Sequence, residues 1–227
     1  MPNFTFSSPT KVVRQLILAC WLGVTLAGCA GTPSTALQGL PQRVELSSVP
    51  FYRGNANHSA AMALAAILSQ QGAPITPGLL DQPLNLPTGI DSLDTSIPRV
   101  ARDYGRVVYP LDKRLDALLT QVAAGNPVLV RYQDGSAWWS EPRYAVLIGY
   151  DRYKQRVLMR AGMQRRLVMA FDDFASAWAK EGRWAILVQP PGELPANVDR
   201  QRWQQAADDL ARAGQELAAR QALDSLK

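Results

Sequence analysis

The stretch "VPFYRGNANHSAAMALAAIL", residues 49–68, sets a valine–proline–aromatic approach and a polar loop in front of a long alanine-rich run. Asn57, His58 or Ser59 can cap a helix there, and Gly72 stops it after about Gln71. Ala60, Ala61, Ala63, Ala65 and Ala66 favour the helix and keep it slim. A helix that slim can be buried in the middle of a domain, with the rest of the chain wrapped around it. Residues 44–51, "VELSSVPF", read as a short strand leading into it.

Downstream, "TPGLLDQ" and "GIDSLDTSIPRVARDYG" predict two further helices. The second is capped by Asp91 or Ser92 and closed by Gly105, with Pro98 in its first turns or at a kink. "VVYPL" is a short strand, and "RLDALLTQVAAGN" places Leu115, Leu118, Leu119 and Val122 on one helical face. Strands then follow at 127–132, 143–151, 156–161 and 165–170, a helix at "FDDFASAWAK" started by Asp172 or Asp173, and a last strand at 183–190. Helices first and a largely antiparallel sheet afterwards give an α+β fold class. "PPGELPANV" marks a rigid polar boundary. Beyond it, residues 197–227 place alanine and leucine at helical spacing around Gly214. This is either a helical hairpin packed on the parent domain or one tetratricopeptide-like repeat, which alone has no neighbour to stack on.

The N-terminus carries an address. Lys11 and Arg14 precede the apolar run "LILACWLGVTLAG" (16–28), too short for a span of about 20 apolar residues and ending in small ones, as a secretion signal does. "LAGC", Leu26 to Cys29, is similar to the lipobox of bacterial lipoproteins. That implies removal of residues 1–28, diacylglycerol on the Cys29 thiol, acylation of the freed amine, and attachment to the lipid bilayer. No aspartate follows Cys29, so the periplasmic face of the outer membrane is the expected destination in a host that has one. Residues 29–43, small, polar and turn-rich, then act as a tether.

The chain of 227 residues is 47% hydrophobic and 19% charged, a globular composition and long enough for a substantial core. Its net charge of +5 owes two charges to the leader, and without residues 1–28 it holds 22 basic and 19 acidic residues. That excess is too small, and too little clustered with aromatics, to indicate nucleic-acid binding. Of two cysteines, Cys20 lies in the leader and Cys29 takes lipid, so the mature domain has neither a disulfide nor a thiol nucleophile. One histidine without cysteine furnishes no zinc set, so neither a metal nor a cofactor is expected.

In order and spacing, "RVELSSVPFY", "AMALAAILSQQGAPITP", "AAGNPVLVRY", "RYAVLIGYD" and "FDDFASAWAKEGRWAILVQPPGELPA" resemble the double-glycine-leader peptidases, the thirty-ninth family of cysteine peptidases. The resemblance spans roughly residues 43–196, which sets a domain over 44–196, and looks closest to a secreted lipoprotein branch with a helical-repeat tail. It implies a papain-like fold, with a thiolate at a helix N-terminus that favours negative charge, an upstream glutamine for the oxyanion, a histidine base and an Asp or Asn behind it. Here Ser59 stands at the thiol position and Ala60-Ala61 replace Gly-Pro. The glutamine falls near Arg53 or Gly54, the base position is Arg143, and the third falls at Met159 to Ala161. Each departs from the family's pattern, so the family's activity does not carry over.

A serine needs a positioned base. His58, the one imidazole, is the neighbouring residue and points elsewhere from a helix start, while Arg143 cannot accept a proton. Ser59 also reads as an N-cap, and His58 as a loop residue. Trp138 and Trp139 are either rim aromatics or part of a cleft with Arg143 and His58. Three functions follow. The first is an inactive peptidase-like lipoprotein that binds a peptide or an envelope protein. The second is a hydrolase using Ser59, and the third an assembly partner working through its C-terminal helices.

Overall fold

A computed structural model describes residues 37, 39–135 and 140–227 of the chain. The lipobox with Cys29, most of the tether, and Trp138 and Trp139 lie outside the described residues. Residues Gly39–Lys227 form one compact unit.

Its centre is α1, Ser59–Gln70, in which every residue from Ser59 to Leu68 is buried. The expected alanines do this. Ala60, Ala61 and Ala65 are fully enclosed and let α1 lie close against the sheet. Gly72 takes a left-handed φ of 84° and ends the helix, as glycine can without strain.

The sheet is antiparallel, with strands β1 (Arg43–Glu45), β2 (Val107–Pro110), β3 (Val128–Gly135), β4 (Ser140–Asp151), β5 (Arg156–Ala161), β6 (Gln164–Ala170) and β7 (Ala185–Gln189). Its order is β2-β7-β3-β4-β5-β6, and β1 pairs with the second half of β4. Tyr144, Val146 and Ile148 of β4 join the α1 cluster. The alternate residues Ala145 and Leu147 face the other way, as strand periodicity requires. There the sheet meets α4 (Leu115–Ala123) and α5 (Phe171–Lys180), the latter stacking Phe174 on Trp178.

Three local expectations need correction. The strand predicted over 44–51 is only β1, because the chain turns at Ser47-Ser48 and Pro50 has no N–H for a ladder. Ala170, not Asp172 or Asp173, is the N-cap of α5, and the two aspartates sit in its first turn, where they complement the helix dipole. Asp91 and Ser92 give α3 (Leu93–Asp103) no side-chain cap. A 3₁₀ turn, Ile90–Ser92, leads in instead, and Pro98 lies inside the helix. The short α2, Pro77–Asp81, packs on α1.

The last two helices, α6 (Arg200–Arg212) and α7 (Glu216–Asp224), turn at Gly214 and pack on each other, and α6 packs on β2. Asp199 caps α6 by accepting from the Arg202 amide at 2.9 Å. Trp203 is buried between the pair and the sheet. Its indole donates to Ala222 O at 2.7 Å and its ring lies 6.1 Å from that of Tyr109.

Candidate functional site

The loop before α1 tightens into a 3₁₀ turn, Ala56–His58, that delivers residue 59 to the sheet beside the start of β4. His58 occupies the N-cap position, and Ser59 is already helical at φ −57°, ψ −36°. Ser59 is therefore not the cap. It is 6% exposed, and its Oγ accepts the Tyr144 amide at 3.3 Å. A backbone N–H is a donor and cannot take a proton from serine. The His58 imidazole is turned away toward α2, with Nδ1 2.9 Å from Asp81 Oδ1.

Arg143 enters from β4, opposite Tyr132 of β3. Its Nη2 lies 2.7 Å from Glu141 Oε2 and its Nε 4.0 Å from Asp134 Oδ2. The cation anticipated from the sequence is thus already partnered. The stretch 159–161, where the resemblance implied the third residue, holds one that sequence reasoning passed over. Arg160 is 6% exposed, donates Nε to Val49 O at 3.3 Å and Nη1 to Arg165 O at 2.6 Å. Burial, foremost, holds its pKa below the ordinary arginine value. The lone arginine inside the apolar run "VLMRA" was the available signal. At Gly54, one of the two residues near the expected glutamine, a Cβ would stand 2.6 Å from Met62 Sδ, at the flexible end of that side chain. Ser59, Arg143 and Arg160 offer one hydroxyl and two guanidiniums, none able to act as a base at ordinary pH.

One wall of the cleft is an ionic cluster. Asp94 accepts Tyr144 Oη at 2.6 Å and Arg131 Nη1 at 2.8 Å, while Arg131 Nε meets Glu181 at 2.7 Å. Trp184 stands edge-on to the Tyr144 ring at 5.5 Å. Burial, then the bond to Asp94, pushes the Tyr144 hydroxyl far above its usual value. Partial burial works against the Arg131 charge, but Tyr144, Asp94 and Glu181 outweigh it and raise its pKa. Between this wall and α1 a cavity of about 310 Å³ remains, lined by Asn57, Ser59, Asp91, Arg131, Glu141 and Arg143 among others. Ser59 and Arg143 are therefore brought together at one cleft, and His58 is not among its lining residues. Among the described residues no cluster of His, Cys, Asp and Glu could hold a metal ion, and no helix is long and apolar enough to cross a membrane.

No protein-family model and no curated protein matches this chain. Among solved structures, it is similar to a crystal structure from Bacillus anthracis described as a C39-like peptidase. The two share 18% identity at a TM-score of 0.52, over 65% of this chain and 98% of that one. At that identity the likeness establishes the fold, a C39-like, papain-like peptidase fold.

Proposed function

We propose that the chain is a catalytically silent peptidase-like lipoprotein, held by acylated Cys29 at the periplasmic face of the outer membrane and binding a peptide or an envelope protein in its cleft. The observation that carries this reading is the partnering of Ser59. Its hydroxyl meets a backbone amide, and the chain's single histidine is engaged with Asp81. A hydroxyl without a base is a poor nucleophile, whereas a cavity of about 310 Å³ is of the size that takes a ligand.

The cleft's charge refines the ligand. Arg143 and Arg131 are balanced by Glu141, Asp134, Asp94 and Glu181, so no strong positive field gathers anions. A ligand carboxylate instead displaces Glu141 from Arg143. The exchange trades one carboxylate partner of the half-buried Arg143 for another. The test is binding of a peptide ending in Gly-Gly with a free carboxylate. Arg143→Ala weakens it and Glu141→Gln, which removes the competing carboxylate, tightens it. Equal affinity in all three proteins contradicts this mode of binding. The anchor is tested separately by metabolic labelling with a fatty-acid analogue. Wild type takes up label and Cys29→Ser does not, and unlabelled wild type would sink the anchoring.

A further inference from the structure

Away from the cleft, where β1, β4, β5 and β6 meet, lies a shallow basin of about 170 Å³. Its apolar floor includes the cross-strand pair Leu158 and Val168, the latter 48% exposed. Around the rim stand Arg43, Lys154, Arg156 and Arg166, against the carboxylates of Glu45 and Asp151. Arg166 and Arg43 already hold Glu45, at 2.9 and 3.9 Å, and Asp151 accepts the Lys154 amide at 2.9 Å. Lys154 and Arg156, both exposed, make no ion pair among the described residues. Asp172 and Asp173 are the nearest further carboxylates along the chain, and they begin a helix on the sheet's other face.

The basin also lies where the chain joins the folded unit. Arg43 pairs with Asp151 on its rim, the Arg152 amide donates to Gln42 O at 2.9 Å, and the Arg152 guanidinium donates to Leu40 O. Cys29 is fourteen residues before Arg43. Fourteen residues reach at most about 50 Å when fully extended. Tyr153, at the tip of the β4–β5 turn, is 81% exposed, and an aromatic with a polar end suits the headgroup layer.

We propose that this basin is a docking surface for anionic phospholipid headgroups, laying the β1–β4–β5 corner on the bilayer to which Cys29 is anchored. It rests on that anchoring for its biological setting, but its chemistry can be measured without it. Lipid makes a steady contribution per basic residue near an anionic surface, so reversing two of the rim charges has a large effect.

The experiment uses the chain without residues 1–28 and with Cys29→Ser, which retains the whole compact unit Gly39–Lys227 and carries no lipid. It is sedimented at low ionic strength, where screening is weak, with vesicles of phosphatidylcholine alone or mixed two to one with phosphatidylglycerol. Binding is expected only to the mixed vesicles, and Lys154→Glu with Arg156→Glu is expected to lower it at least about tenfold. Arg220→Glu, on α7, leaves it unchanged. Equal binding to both vesicles, no binding to either, indifference to the double reversal, or an equal loss on Arg220→Glu overturns the proposal. Loss of the anchor reading shows up elsewhere, as unlabelled wild type in the fatty-acid experiment, and leaves the vesicle result standing.

Discussion

Ser59→Cys places a thiol at the first residue of a twelve-residue helix, where the dipole lowers a thiol pKa. The variant is expected to react with a thiol-directed probe yet cleave no peptide, because Arg143 can neither take the thiol's proton nor return one to a leaving amine. Peptide turnover by this single variant would mean that a base has been overlooked. At residue 54, Gly54→Gln meets only the flexible end of the Met62 side chain, so a small change in Tm is expected as the thioether swings aside. Arg160→Met leaves Val49 O and Arg165 O without their donor; Arg165 is exposed and water can serve it, so a loss of about 1–3 kcal/mol is expected for the buried Val49 carbonyl. Stability unchanged in Arg160→Met would show that water replaces the guanidinium. Residues 59 and 143 were legible as candidates because one stands at a helix start and the other in the first part of a strand, and both line one cleft. The partners were not. Nothing local to residue 59 points to the Tyr144 amide, 85 positions away, and the Glu141–Arg143 pair depends on how β4 begins.

At the scale of elements, α1 and the strands around it were readable because periodicity and alanine content express burial directly. Boundaries were less so, since Pro50, Ala170 and the 3₁₀ turn before α3 are set by what the next element packs on. The same packing gives the β4 strand its pH response. Burial, first of all, raises the hydroxyl pKa of Tyr144 and Tyr150, and of Tyr132 on the neighbouring β3. An acid whose folded pKa is raised supplies stability that is present below its unfolded value of about 10 and lost as pH rises through the folded one. The protein is therefore expected to lose stability above about pH 10, with buried phenols titrating only as it unfolds. Tyr144→Phe should soften the alkaline fall, because no phenolate can then form against Asp94. A phenol titration complete below pH 10 in the folded protein would contradict the packing described for these residues.

Across the whole molecule, the sheet, α3 and the C-terminal helices share supports. Trp203 bridges α6 to α7 and touches Tyr109 of β2, and Arg102 of α3 reaches Asp209 of α6 at 3.2 Å. Trp203→Ala should cost about 3–5 kcal/mol and lower a single thermal transition, whereas two separate transitions would show that the helical pair folds alone. A domain so tied together offers a firm cleft wall, and firmness suits binding as well as it suits catalysis. What separates the two is whether a base reaches the Ser59 hydroxyl, which instead accepts the Tyr144 amide. The most direct measurement is cleavage of a Gly-Gly-containing peptide by the wild-type protein beside Ser59→Ala. The account predicts no turnover by either protein. Turnover by the wild type that disappears in Ser59→Ala would contradict it and make the chain a serine hydrolase.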